Sequence, residues 1–325
     1  MASSPGPAAA SRRRRPRRPL SATVIAAGAC LALVSACANP QESTSAAPSS
    51  TASKAETAVK RDAELYAMVP AAYREAGRIR VATNAPFPPF EMFAGSGGTK
   101  LAGLEIDLGE ALGRRLGVPF AFSQQPFDGL LPGLQAKKYD ALMAALFDTE
   151  EREKTVDFVD YGRSGSALLV KKGNPEELTT LDGLCGHQAA AQTGAQQINL
   201  LKQQSDRCIE DGEQAITVKT FPQFSDALLA LKTGKAETIV GDLPVLRYSA
   251  ERDDSVESVE DPTAPQGYDP APLGIALPKD QPKLREAVRR ALADLIDSGV
   301  YGEILARYDV AQIAIDAPTV NQAGE

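Results

Sequence analysis

Two segments of this chain are built alike, and that likeness limits the architecture more than any other feature of the sequence. Leu131 to Ala144 and Leu228 to Gly241 match in register at an offset of 97 positions. The matched pairs are Leu131 with Leu228, Leu134 with Leu231, Lys138 with Lys235, Asp140 with Glu237, Leu142 with Ile239 and Ala144 with Gly241. Each segment reads as the end of an amphipathic helix, a basic turn and a short apolar strand. A unit repeated once at domain-scale separation predicts two similar α/β lobes. Polar and charged residues stand just past each strand: Thr149 and Arg152 after the first, Asp242 after the second. Ligands of open α/β sheets bind outside the carboxyl ends of strands. Two such ends, each carrying charge, describe a clamp around a small ion.

The N-terminus stands apart from the fold. Residues 12–18 hold six arginines and no acid, and residues 22–36 form an apolar run too short to span a bilayer. The run exits through Val34, Ser35 and Ala36 into Cys37, the pattern of a secretory signal over residues 1–36. This exit looks like a bacterial lipobox, which implies cleavage before Cys37 and acyl chains, palmitate among them, on the new terminus. A plain signal peptide with an incidental cysteine is the alternative. Without the signal, 29 basic residues face 42 acidic ones, a net charge near −13. Such an acidic chain is a poor partner for nucleic acid or anionic lipid. Any membrane attachment is therefore covalent, at the outer face of the cytoplasmic membrane.

Four cysteines are present. Cys30 leaves with the signal and Cys37 is the lipid candidate. Cys185 and Cys208 remain as an even pair in an oxidising compartment, which predicts a disulfide, with two buried thiols as the alternative. It would close a loop of about 24 residues and stabilise by roughly 3 kcal/mol. The single histidine, His187, reads as a surface or structural residue. That count argues against histidine catalysis and transition-metal sites, so neither metal nor cofactor is expected.

Residues 37–61 are rich in Ser, Ala and Thr and read as a flexible tether. A helix follows over 62–77, then a strand at Arg78 to Thr83 and a proline-rich turn. Leu104, Leu108, Ala111, Leu112 and Leu116 make a helix stripe, and Leu284, Val288, Ala291, Leu292, Leu295 and Ile296 another. Further strands are expected at 141–146, 167–171, 188–192, 238–241 and 273–277. Thr193, Gly194 and Ala195 open a helix. Residues 253–269 read as an acidic loop, and 311–325 as a frayed, disordered tail.

At this level of detail the chain resembles the bacterial extracellular solute-binding proteins of family 3, the polar amino-acid receptors of ABC importers. The likeness covers about 78–309. It rests on six motifs in order: Pro86 to Glu91, Gly103 to Leu108, Phe127 to Gln135, Thr149 to Arg152 with Val156 to Phe158, Gln192 to Gly194, and Asp297 to Tyr301. The resemblance implies a two-lobed, periplasmic-binding-protein-like type 2 fold. Two mixed sheets flanked by helices would enclose a ligand cleft between the lobes. Lobe 1 would take residues 62–163 and 271–310, and lobe 2 residues 164–270, with crossovers near 162–166 and 268–272. Hinge closure would bury the solute and present the closed form to a permease.

The same resemblance assigns roles in the site. Arg152 would grip a ligand carboxylate with its fork, where the residues alone favour a surface pair with Glu151 or Glu153. Thr193, Gly194 and Ala195 would hold the same carboxylate at a helix N-terminus. Thr149 is a site donor, a helix cap or both, and Asp148 with Glu151 offers a capping box. Asp242 would take the ligand ammonium. Phe87 and Phe127 would wall the solute's side chain, with Phe90 mainly core. Three positions depart from the pattern: Asn84 where Asp is frequent, Phe147 where a hydroxyl is frequent, and Ala145 where Gly or Ser is frequent. The expected pocket is tighter and less polar for it.

The reading that follows is a monomeric, non-enzymatic receptor that delivers a small zwitterion, an amino acid, to an ABC importer. Two other classes use the same scaffold. One is an enzyme of the cyclohexadienyl or prephenate dehydratase type, or a peptidoglycan-cleaving lyase. The other is a ligand-sensing module that signals to a separate kinase. No added catalytic segment or second membrane span is visible for either.

Overall fold

The computed structural model describes residues 58–95 and 97–324. Cys30, Cys37, the signal sequence and most of the tether lie outside the described residues. The strands are β1 (Ile79–Thr83), β2 (Met92–Phe93), β3 (Leu101–Ala102), β4 (Phe120–Gln124), β5 (Ala141–Leu142) and β6 (Val156–Lys171). They continue as β7 (Gln188–Gln192), β8 (Thr217–Phe221), β9 (Thr238–Asp242), β10 (Val256–Val259) and β11 (Tyr268–Pro278). β2 and β3 form a small separate ladder.

The other nine share one ladder in the order β4-β1-β5-β11-β6-β9-β7-β8, with β10 on β6. One half is parallel around β1, the other parallel around β7. The two mixed sheets are continuous because β6 and β11 are long enough to serve both. Their antiparallel pairing runs from Ser166 opposite Tyr268 to Val156 opposite Pro278. Near the start of that pairing the backbones nearly touch. A Cβ on Gly165 would stand 2.7 Å from the Gln266 carbonyl oxygen. Gly267, at φ +84°, returns the contact, so neither position has room for a side chain.

The repeat has a structural meaning beyond the hydrophobic pattern. Asp140 precedes β5, and its carboxylate accepts the backbone N–H of Arg80 in β1 at 2.8 Å. Glu237 precedes β9 and accepts the N–H of Gln188 in β7, also at 2.8 Å. In both halves the acid fixes the start of the neighbouring parallel strand by taking a backbone amide there. The expected leucine stripes are buried: Leu104, Leu108, Leu112 and Leu116 on helix Leu104–Leu116, and Leu284, Val288 and Leu292 on helix Pro282–Asp297. Each such leucine contributes about 1.5–3 kcal/mol. Cys185 and Cys208 are joined as a disulfide, with Cα atoms 5.5 Å apart.

Four expectations need correction. The helix over 62–77 is two short ones, Ala63–Met68 and Ala71–Ala76, parted at Pro70, because proline cannot donate inside a helix. The strand over 141–146 pairs only at Ala141 and Leu142. Beyond it the chain turns through Ala145 at φ +46° so that the Ala145 N–H reaches Glu105 Oε2 at 3.0 Å. Residues 253–269 are not all loop, since β10 pairs with the outer edge of β6. Residues 311–324 do not fray: Thr319, Asn321, Gln322 and Ala323 dock on buried or half-buried acids. Thr319 Oγ1 donates to Asp160, Asn321 Nδ2 to Asp157, the Gln322 N–H to Asp148 and the Ala323 N–H to Glu153. Acids with little water around them need such donors, and composition alone does not reveal that demand.

Two outcomes follow. Gly165→Ala forces the two long strands apart at their closest approach. Overpacking of this kind costs about 1–3 kcal/mol, which lowers the melting temperature by roughly 3–10 °C in calorimetry. The second concerns pH. Burial, with Asp160 and Glu153 nearby, pushes Asp148 up to about 8, and burial pushes Asp160 up to about 6. Both folded values exceed the ordinary carboxylate range, so the folded chain holds more protons than the unfolded one. Their contribution is fully present below about pH 4 and is lost as pH rises through the folded values. The melting temperature therefore falls between pH 5 and 8, and falls less steeply in Asp148→Asn. An equal slope in the variant would contradict this assignment.

Candidate functional site

Arg152 sits on the single-turn helix Glu150–Glu153, whose N-cap is Thr149: the Arg152 N–H donates to Thr149 Oγ1 at 3.3 Å. Asp148 takes no part in capping, being engaged by the Gln322 N–H of the tail. The Arg152 side chain is buried and turns away from the surface. Its Nη1 donates to the Phe147 carbonyl at 2.7 Å and its Nη2 to the Gly194 carbonyl at 3.2 Å. Gly194, at φ +83°, sits against Asp128, where a Cβ would stand 3.4 Å from the Asp128 Cα.

Asp242 ends β9. Gln197 Nε2 donates to its Oδ1 at 2.6 Å and also to Ser166 Oγ at 3.1 Å. Burial raises the Asp242 carboxyl to about 7, against the opposing pull of the Gln197 hydrogen bond and the Arg152 charge. Burial also lowers Arg152, and Asp242 is the main charge that offsets it. Each group is thus held away from water with the other as its nearest electrostatic relief.

Both line one narrow cleft, which leaves only about 20 Å³ to the centre of a water-sized sphere. Phe87, Phe127, Phe147 and Phe224 wall it, with Ala145, Ala195 and Gly241 at its narrow points. Phe87 meets Phe224 edge to face at 5.6 Å. Gln192 Nε2 donates to Asn84 Oδ1 at 2.8 Å, and Asn84 Nδ2 to the Gln125 carbonyl at 2.7 Å. These contacts join the half built on β1 to the half built on β7. Among the lining residues there is no Ser, Cys, His or Lys. The walls offer one cation, one acid, amides and phenyl faces, a set suited to holding a charged solute rather than to covalent chemistry.

Beneath the cleft lies a second acidic layer. Tyr161 donates its hydroxyl to Glu105 Oε1 at 2.7 Å. Burial raises Glu105 to about 7. Glu91, fully buried beside it, is pushed well above the usual carboxylate range by burial and by Glu105. Glu105 braces the positive φ of Ala145 from below by accepting its N–H, where Gly is the easy residue.

Arg152, Asp242, Phe87, Phe127, Ala145, Phe147 and Ala195 all line the cleft. Thr149, Thr193, Gly194 and Asn84 do not: Thr149 caps the turn, Gly194 receives Arg152, and Asn84 spends its amide on Gln125 and Gln192. The helix after Gly194 is Gln197–Glu210, starting two residues later than expected, because the Ala195 N–H closes a turn onto Gln192. Phe90 is core. Gln192, Gln196, Gln197 and Phe224 line the cleft without having been singled out as site residues.

Residues 79–311 match the family model described as bacterial extracellular solute-binding proteins, family 3. The arginine-binding protein ArgT of Corynebacterium glutamicum is 31% identical, over 80% of this chain and 83% of that protein. The L-cystine-binding protein TcyJ of Escherichia coli strain K12 is 30% identical, over 70% of this chain and 80% of its own. A solved structure of an ancestral arginine-binding protein bound to arginine superposes with a TM-score of 0.61 at 34% identity, covering 71% of this chain and 98% of that one. With the two-lobed sheet, the opposed Arg152 and Asp242 and a match across most of its length, the chain belongs to the bacterial extracellular solute-binding proteins of family 3.

Proposed function

We propose that this protein is the extracytoplasmic receptor of an ABC importer and closes around an L-amino acid with a cationic side chain. The observation that carries the reading is the opposition of Arg152 and Asp242 across one cleft. Arg152 meets the α-carboxylate as a bidentate fork, and Asp242 meets the α-ammonium. Lobe 1 comprises 62–163 and 271–310, and lobe 2 comprises 164–270. The strands β6 and β11 act as the hinge. A cationic side chain is favoured because four phenyl groups line the cleft, whose faces attract cations. Relatives named as arginine-binding proteins point the same way. Acyl chains on Cys37 hold the receptor, as a monomer, at the outer face of the cytoplasmic membrane beside its permease.

Calorimetric titration of the mature chain with L-arginine gives saturable one-to-one binding, tighter than with L-glutamine or L-cystine. Arg152→Ala weakens that binding roughly 100-fold or more, as expected for truncating a buried charge partner worth about 3 kcal/mol. Near-normal affinity in a variant that still melts cooperatively removes the carboxylate clamp. In cells, Cys37→Ser moves the protein from the membrane pellet to the soluble fraction, and continued pelleting refutes the lipid anchor.

A further inference from the structure

On lobe 2, at the end of the sheet opposite the cleft, three metal-binding side chains from three connections converge. Glu176 follows β6, His187 immediately precedes β7 and Glu237 immediately precedes β9. One donor atom from each lies within 4.8 Å of the others. A single histidine in the sequence argues against a metal site. The fold supplies what the sequence separates, since His187 and Glu237 are 50 residues apart and their side chains meet at 3.0 Å.

We infer that Glu176, His187 and Glu237 form a surface site for a divalent transition ion of the zinc class. One imidazole nitrogen with two carboxylate oxygens is a borderline donor set, better suited to Zn²⁺ than to Mg²⁺ or Ca²⁺. Tetrahedral bonds of about 2.0–2.2 Å place ligand atoms about 3.3 Å apart. His187 Nδ1 and Glu237 Oε2 already stand near that separation. Glu176 is exposed and free to close the remaining gap.

The frame around the trio is fixed. Glu237 Oε2 is oriented by the Gln188 N–H, an outer contact of the kind that aims metal ligands. The His187 N–H donates to the Leu184 carbonyl at 3.0 Å, and its carbonyl accepts from the Thr217 N–H at 2.9 Å. The disulfide at Cys185 lies two residues before His187. Asn174 ties down the Glu176 loop by exchanging two hydrogen bonds with Leu178. The nearby cation Lys219 donates to Gln188 Oε1 and to the Lys235 carbonyl, which leaves the acids to the ion. Bound metal pins three connections of lobe 2 at a distance from the solute. With three protein ligands, a fourth position remains for water.

The test is titration of ZnCl₂ into the mature chain without an affinity tag, followed by calorimetry and by ¹⁵N NMR of the one imidazole. One ion binds per chain, the ring nitrogens of His187 shift and saturate at one equivalent, and the melting temperature rises. His187→Ala, Glu237→Gln and Glu176→Gln each weaken zinc binding at least tenfold and leave amino-acid binding unchanged. Glu176 is exposed, so Glu176→Gln keeps the test sound if another variant folds poorly. Equal zinc affinity in His187→Ala, or an imidazole signal unmoved at saturating zinc, overturns the site and leaves a plain His187–Glu237 contact.

Discussion

The antiparallel pairing of β6 with β11 is the constraint on which the rest of this structure depends. It is the stretch of ladder that both lobes share, and each half-sheet is hydrogen-bonded to it. β5 lies against β11 on one side and β9 against β6 on the other. The chain passes from one half of the fold to the other on these strands. The close approach of Gly165 and Gly267 shows how little slack the pairing leaves. Arg152 is placed four residues before β6, and Asp242 lies opposite Ser166 on the same strand. One strand thereby sets the separation of the two charges that define the site.

Those charges explain why a zwitterion, rather than a simple ion, suits the cleft. Desolvation lowers Arg152 and raises Asp242, so each charge is costly to keep unless a partner arrives. A carboxylate alone would relieve Arg152 and worsen Asp242. An ammonium alone would do the reverse. A solute carrying both relieves both, and its binding energy is available to hold the lobes shut. The contacts between Gln192 and Asn84 and between Phe87 and Phe224 then close the cleft without touching the charged groups.

Much of this was legible in the sequence, for physical reasons. Helix stripes and the repeat are periodic signals, and periodicity survives translation into burial. Arg152 and Asp242 were legible through motif and position at strand ends. The glutamines were not, because an amide has no periodic or charge signature and its role depends on what the fold brings near. The same holds for Glu91 and Glu105, which read as ordinary motif acids and prove to be fully buried beneath the site. Asn84 read only as a departure from a frequent Asp that makes the pocket less polar. Its amide completes a chain from Gln125 to Gln192, where a carboxylate could accept but not donate. The tail was misjudged because its small polar residues carry information only once the acids they cover are known.

The two halves of the repeat also show how equivalent positions diverge. Asp140 and Glu237 do the same backbone work at the start of β1 and β7, yet their side-chain partners differ in kind. Asp140 meets Arg80, whose Nε and Nη2 donate to the carboxylate while Nη2 also reaches the Lys137 carbonyl. A guanidinium has no lone pair to offer, so that corner of lobe 1 can only be an ion pair. Glu237 meets an imidazole, which can bind a metal when neutral and a carboxylate when charged. The same scaffold position therefore permits in lobe 2 a chemistry that it forbids in lobe 1. The difference lies in His187, in Glu176 above it, and in the disulfide that fixes the turn between β7 and the loop before it.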